Sequence, residues 1–535
     1  GGQHVECLSL VSQRSALCSS SCLEGGGGWL AVWEAKQAMS RFEKGVNGTV
    51  PVLGSTFTVT NGWEEVERGR TSPRGLHVRK FDESSGGHEW DLASVVDTAE
   101  ATSTAECADR RDLDQEVKEL DDLFAAIYPL VRQYELENAS PDDHKVVEFL
   151  TSQDLSAVVH LALPEEGSSA EFIQGCQDAL RYSVRTSHPR FMNQLFAGSE
   201  PSGQIAELLT SVINNSVHTY AAAPLATIVE QHLIQQVGNL AGFGNADGVF
   251  CPGGSYANMG AMLVARNELF PHVRDLGWQH TDSPVVFTSA QAHYSVKKAA
   301  MMLGVGTANC ILVPTDCEGR MNPHALESLI LQAKSQGKTP FFVSCTTGTT
   351  VTGSFDPIRA IADVCRKHGV WAHVDGAWGG AVIFSDKHRG LVDGLEKCDS
   401  FCFNPHKLLG VSSQCTMLLV NVQQDGCCGA GALQRSNDTL ADYLFHSATQ
   451  QDSDDLGHKS TQCGRKPDCL KLWLHWKRHG TKGLAARVDR AFAYSRRLAH
   501  LVSRDHRFHL LLQPESCNIC FYYLPPSIRA RVTPE

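Results

Sequence analysis

The sequence predicts an α/β domain built on a mostly parallel sheet that is covered on both faces. Three observations carry this prediction. Short apolar runs recur beyond about residue 245, helix-period segments alternate with them, and the chemically distinctive residues fall just past the ends of the runs. In sheets of this kind ligands bind beyond the carboxyl ends of the strands, so motifs at those ends matter most.

The elements follow in order along the chain. Residues 1–112 lack sustained periodicity and contain SALCSSSCLEGGGG and an acidic Ser/Thr/Ala-rich stretch, the composition of a disordered or unassigned leader. Residues 1–40 are poor in acids, as organelle transit peptides are, but poor in arginine too, and an untemplated leader fits them better. From Leu113 the pattern turns helical: DLDQEVKELDDLFAAIYPLVRQYELE places apolar residues at helix spacing, and helical segments continue to Arg185. The runs GVFC (248–251), VVFT (285–288), ILV (311–313), FFVS (341–344), VWAHV (370–374), SFCF (400–403) and TMLLV (416–420) read as buried strands. Between them SYANMGAMLVARNELF, HYSVKKAAMMLGV, HALESLILQAKSQG and DPIRAIADVCRKHG read as helices.

Composition narrows the function classes. The 535 residues are 42% hydrophobic and 20% charged, enough apolar surface for a large core and, by length, two to four domains. A net charge of −12 argues against a nucleic-acid binder, which needs clustered positive charge. No apolar run approaches a bilayer span, so no membrane association is expected. Nineteen scattered cysteines, an odd count in a long chain, fit reduced thiols in a cytoplasmic protein better than a disulfide scaffold. The lone C-x-x-C of Cys517 and Cys520 lies in strand-like surroundings, and no second such pair stands at zinc spacing, so no metal site is expected.

Four features carry chemistry. CPGGSYAN (251–258) turns from a strand into a helix, and two glycines with the free N–H groups of a helix start form an anion site. His293 stands at another strand-to-helix junction. Asp375 directly follows VWAHV, where a carboxylate can hold a cationic ring nitrogen. Lys407 follows SFCF and the break at Asn404-Pro405, where a partly desolvated amine can act as a nucleophile. Taken singly these read as a common Gly-Gly turn, a structural imidazole, a helix N-cap and a solvated lysine. Taken together, and in this order, they are the parts of a pyridoxal 5'-phosphate site: a phosphate cradle, a ring neighbour, a partner for the pyridine nitrogen and an amine to bind the aldehyde.

The segments HPRFMNQLFAG, CPGGSYANM, AHYSVKKAA, SCTTGTTVTGSFDPI, WAHVDGAWGG, FNPHKLLGV and QCGRKPDCLKLWLHWKRHG resemble the group II pyridoxal-phosphate amino-acid decarboxylases, in the glutamate decarboxylase and cysteine sulfinate decarboxylase branch. The resemblance runs from about residue 115 to 528 and rests on the specific pairing of VD-x-AWGG with NPHK. It implies fold type I, the aspartate-aminotransferase-like α/β fold, as a homodimer with sites at the subunit interface. Residues 113–190 would be the N-terminal helical segment that wraps the partner. Residues 191–495 would be the cofactor-binding large domain, and residues 496–535 the start of a small C-terminal domain that is largely missing.

Carried over by residue, the resemblance makes Lys407 the Schiff-base lysine and Asp375 the partner of the pyridine nitrogen. His293 would stack on the ring and could donate a proton. Ala377 would pack on the opposite ring face, and Thr346 would lie near the ring hydroxyl. Ser255, Tyr256 and Ala257 would occupy the phosphate turn with Asn404 beside it. Relatives often carry serine where Ala257 stands. Gln194 matches the residue that contacts the distal acid of the substrate, and the aromatic Phe196 shortens the pocket. The implied substrate is a small acidic L-amino acid, cysteine sulfinate or aspartate ahead of glutamate. Two departures point to a catalytically impaired, truncated isoform as the alternative: no tyrosine stands between Tyr443 and Tyr494, and the chain ends before the family's carboxylate-binding arginine.

Overall fold

The computed structural model describes residues 103–140, 142–192, 195, 198, 200–422, 430–439 and 454–529, together with four strands between residues 48 and 91. The chain divides into two compact units, Gly1–Leu130 and Val131–Glu535. In the first, β1 (Gly48–Val52), β2 (Ser55–Val59), β3 (His77–Phe81) and β4 (Glu89–Asp91) pair in sequence order as an antiparallel meander. Regular structure thus enters a stretch read as a leader without assignment. Its strands, GTVPV, STFTV, HVRKF and EWD, lack the continuous apolar runs by which the strands beyond residue 245 are read. The first long helix, Ser103–Asn138, also begins ten residues before the boundary read at residue 113.

The second unit holds a seven-stranded sheet. Its strands are β5 (Ala246–Cys251), β6 (Pro284–Ser289), β7 (Cys310–Val313), β8 (Thr339–Thr346), β9 (Trp371–Gly376), β10 (Ser400–Phe403) and β11 (Thr416–Asn421). They lie in the order β5-β11-β10-β9-β8-β6-β7. Every pairing from β10 to β7 is parallel, and only β11 runs against its neighbours. All seven apolar runs of the sequence are strands here, and the four helix-period segments between them are the helices Gly254–Leu269, Ser295–Met302, Pro323–Ser335 and Ile358–His368.

Alternation along the strands sorts side chains into two buried layers. Ala372, Val374, Phe401 and Phe403 join a large core with the helices Pro224–Ala241, Pro323–Ser335, Ile358–His368 and Asp468–Ser503. Trp371 and Cys402 face a second core formed with Gly254–Leu269 and Ser295–Met302. By the same two-residue period His373 and Asp375 share the face of Trp371, so the carboxylate emerges on the side of the Gly254–Leu269 helix. The Asp468–Ser503 helix bends at Gly480, where φ is +65°, and continues through residue 495, so the domain boundary read there falls inside a helix. Beyond it, among the described residues, Phe508–Leu510 and Phe521–Tyr523 pair as a two-stranded antiparallel ribbon. Among the described residues no helix is long and apolar enough to cross a membrane.

Candidate active site

The site residues gather at the carboxyl ends of neighbouring strands. Asp375 sits next to the last residue of β9, in register with Thr346 at the end of β8 and with Cys402 in β10. It is 5% exposed, and a carboxylate so deeply buried requires partners. Oδ2 accepts from Asn258 Nδ2 at 2.7 Å, and Oδ1 accepts from the Ala377 backbone N–H at 3.1 Å. Both partners donate to the carboxyl oxygens and fix their orientation, so a ring N–H brought beside them would meet a positioned acceptor.

Asn258 lies one turn into the Gly254–Leu269 helix and is the hub of a buried network. Its Nδ2 also donates to Ser295 Oγ at 2.9 Å, while its Oδ1 lies 2.9 Å from His373 Nε2. Because that amide oxygen only accepts, His373 must carry its proton on Nε2. Its Nδ1 then accepts from the Ser400 hydroxyl at 2.9 Å, and Ser400 Oγ in turn accepts from Trp371 Nε1 at 2.8 Å. The ring is neutral: burial pushes its pKa down to about 4, against the opposing pull of Asp375.

The same reasoning fixes His293. Its Nδ1 faces Ser295 Oγ at 2.8 Å and receives the Ser295 backbone N–H at 3.3 Å. The backbone group can only donate, so Nδ1 bears the lone pair and the proton sits on Nε2. Burial lowers the pKa of this imidazole; the Asp375 carboxylate opposes that shift and the Lys407 ammonium adds to it. Asp375 and His293, far apart in the chain, are thereby joined through Asn258 and Ser295.

The phosphate turn is more selective than the motif implies. Gly253, at φ +93°, caps the helix in a conformation that favours glycine. The N–H groups of Tyr256 and Ala257 are both bonded to Gly253 O, at 3.1 and 3.2 Å. That leaves Gly254 and Ser255 to offer N–H groups at the helix start. Ser255 is exposed there, whereas the Tyr256 hydroxyl bonds the Thr461 hydroxyl and Ala257 is fully buried in the core. A Cβ on Gly254 would come within 3.1 Å of Ala377 Cβ and 3.2 Å of Asn404 Nδ2, which places all three residues around one space. The Lys407 N–H donates to Asn404 O at 3.1 Å, so the lysine follows from a tight turn on this rim, partly buried. Gln194 and Phe196 lie outside the described residues.

Two features fit a flat, polar, phosphorylated ring. Thr346 Oγ1 is buried with no protein partner, beside Asp375 in the sheet register. The glycine at residue 254 keeps open the space that a side chain would fill. Sequence reasoning missed Asn258, Ser295, His373 and Ser400. Asn258 lies within the CPGGSYAN motif, and His373 stands two residues before Asp375, so a strand-period argument could have found the latter.

A mostly parallel sheet with a lysine, a buried carboxylate, an imidazole and a glycine-led helix start at its strand ends matches the chemistry of a pyridoxal-phosphate enzyme. Residues 153–524 match the pyridoxal-dependent decarboxylase conserved domain, and the chain belongs to that family of amino-acid decarboxylases. It is 40% identical over 423 residues to cysteine sulfinic acid decarboxylase of Mus musculus, covering 79% of this chain and 85% of the relative. It is 42% identical over 402 residues to acidic amino acid decarboxylase GADL1 of Bos taurus, covering 75% and 76%. The crystal structure of mouse CSAD superposes with a TM-score of 0.72 at 41% identity, over 77% of this chain and 84% of that one.

Proposed function

We propose that this enzyme releases CO2 from a small acidic L-amino acid, cysteine sulfinate or aspartate ahead of glutamate, with Lys407 as the residue that bonds the cofactor. The observation that carries the reading is the buried Asp375 carboxylate, oriented by Asn258 and the Ala377 N–H on the edge shared with Lys407 and His293. The names of the relatives, a cysteine sulfinic acid decarboxylase and an acidic amino acid decarboxylase, support the substrate class.

Pyridoxal phosphate, when bound, supplies an electron sink for the pair left behind by departing CO2. The chain's own groups do the rest. The N–H groups of Gly254 and Ser255 and the positive end of their helix hold the phosphate, with Asn404 beside them. Asp375 would hold a proton on the ring nitrogen. The unpartnered hydroxyl of Thr346 would be available to the ring oxygen. Ala377 and His293 would flank the ring, and His293, with its proton on Nε2, could pass that proton on. Gln194 and Phe196 would set the distal end of the substrate pocket.

Apolar residues exposed on the Pro201–Ile213 and Pro224–Ala241 helices support a homodimer; Val212 is 69% exposed and Leu225 57%. The free thiols of Cys345 and Cys398, hydrogen-bonded in the core, accord with a reducing cytoplasm. Protein loaded with cofactor should be yellow and trap it on borohydride reduction, and Lys407→Ala should abolish the trapping. CO2 release assayed side by side from cysteine sulfinate, aspartate, glutamate and dopa should be fastest for the first two. Colourless protein under saturating cofactor defeats the proposal, and a clear preference for glutamate selects the longer substrate.

A further inference from the structure

A cluster of side chains of metal-ligand type lies outside the cofactor site. Glu200 precedes the Pro201–Ile213 helix, while His475 and His479 stand one turn apart on the Asp468–Ser503 helix. The ligand atoms of these three residues all lie within 4.8 Å of one another. Glu200 Oε2 is 3.1 Å from His475 Nδ1 and 2.9 Å from His479 Nε2. A tetrahedron with bonds of 2.0–2.1 Å has edges of about 3.3 Å, so these spacings need to open by only a few tenths of an ångström.

The protonation pattern points the same way. His475 Nε2 lies 3.1 Å from the Leu409 carbonyl, which can only accept, so Nε2 carries the proton and Nδ1 presents a lone pair. A carbonyl on the far nitrogen is the usual arrangement behind a metal-bound imidazole. That lone pair faces Glu200 Oε2, itself only an acceptor, and two acceptors at this distance need a proton or a cation between them. The imidazole is 1% exposed. Ser202 Oγ lies 3.0 Å from His475 Nδ1 and 3.2 Å from Glu200 Oε2, but its single proton can serve only one of them.

We propose that Glu200, His475 and His479 bind a divalent first-row transition ion, zinc foremost, with Ser202 Oγ or water completing the sphere. Two imidazoles and one carboxylate suit that class of ion rather than calcium or magnesium. Glu200 and His479 keep about a quarter of their side-chain surface exposed, which gives the ion a way in. Arg487 lies 3.8 Å from the other carboxylate oxygen, Oε1, and donates through Nε to Leu408 O at 3.1 Å. It moderates the site's charge while holding the carboxylate in place. The ion would clamp His475 onto Leu409, two residues past Lys407, and so brace the turn that carries the lysine.

The test uses the full chain loaded with pyridoxal phosphate, stripped with a chelator and kept reduced, then titrated with Zn2+ and with Co2+ as a visible-absorption probe. The wild type should bind one equivalent of Zn2+ that His479→Ala loses or binds at least tenfold more weakly. The Co2+ band of an imidazole-containing site should vanish in His479→Ala and in Glu200→Gln. Zn2+ should raise the melting temperature of the wild type and of neither variant. Thiols elsewhere in the chain can also take zinc, so the decisive quantity is the equivalent that depends on His479. Both substituted residues are partly exposed, and cofactor absorbance verifies that each variant is folded. Equal zinc stoichiometry and affinity in wild type and variants, or none in the wild type, overturns the proposal and leaves a hydrogen-bonded knot closed by Ser202.

Discussion

Asn258 does at the scale of one residue what no other side chain in the site does: its amide donates to Asp375 and Ser295 and accepts from His373. Truncating it in Asn258→Ala would leave a buried carboxylate oxygen and a buried imidazole N–H unpaired. A loss of about 1–3 kcal/mol in stability is expected, with cofactor affinity down at least tenfold. Thermal melts and a cofactor absorbance titration check both. His373 predicts a pH dependence. Its folded pKa, about 4, lies below the 6.5 of an unhindered imidazole, so below pH 6.5 the unfolded chain takes a proton that the folded chain refuses. Stability should be unaffected by this group above pH 6.5 and fall as pH drops toward 4, by up to about 1.4 kcal/mol per pH unit. Urea unfolding at several pH values should show that slope, and His373→Asn should flatten it. The sequence showed Asp375, His293 and Lys407 because each sits at an element end with a distinctive neighbourhood. It hid Asn258 and Ser295 because a polar residue at or near a helix start looks the same whether or not it is buried.

At the scale of elements, the strand ends decide the site and the turns keep it open. Gly254→Ala would put a methyl group 3.1 Å from Ala377 Cβ and 3.2 Å from Asn404 Nδ2, on the rim of the phosphate turn. Cofactor affinity should fall at least tenfold while the melting temperature changes little. β5, which delivers that turn, is anchored by a buried ion pair. Arg465 Nη1 lies 2.7 Å from Glu230 Oε1 and donates to Phe250 O, and Glu230 Oε1 accepts the Phe250 N–H. Both side chains are at most 3% exposed, so Arg465→Ala would strand the carboxylate. Such a loss costs about 3–5 kcal/mol, readable as a lower urea midpoint at unchanged slope. The strands of the large sheet were legible because apolar runs of three to five residues, rich in β-branched and aromatic side chains, repeat between helices. Arg465 was legible only as part of a motif, since it stands in a loop and its partner lies 235 residues earlier in the Pro224–Ala241 helix.

At the scale of the whole molecule, the exposed apolar faces of the Pro201–Ile213 and Pro224–Ala241 helices call for a covering surface. A second copy supplies it in the proposed homodimer. Sedimentation of the cofactor-loaded chain should give twice 58.3 kDa, and Val212→Glu with Leu225→Glu should shift the equilibrium toward the monomer without unfolding it. A wild-type monomer at micromolar concentration would refute that assembly. Strand–helix alternation announced the large sheet, but the short meander between residues 48 and 91 has neither continuous apolar runs nor helices between its strands to mark it.

The sequence by itself determined the chemistry class: the order of turn, imidazole, carboxylate and lysine at the strand ends names the cofactor, and the family motifs name the reaction. Local patterns suffice for that, because strand ends and helix starts are properties of neighbouring residues. Only the tertiary structure decided which nitrogen of His293 and His373 carries the proton, which N–H groups remain for the phosphate, and that Glu200 meets His475 and His479. These depend on which face of a strand or helix meets which, so donors and acceptors far apart in the chain are matched only when the sheet and its helices are packed.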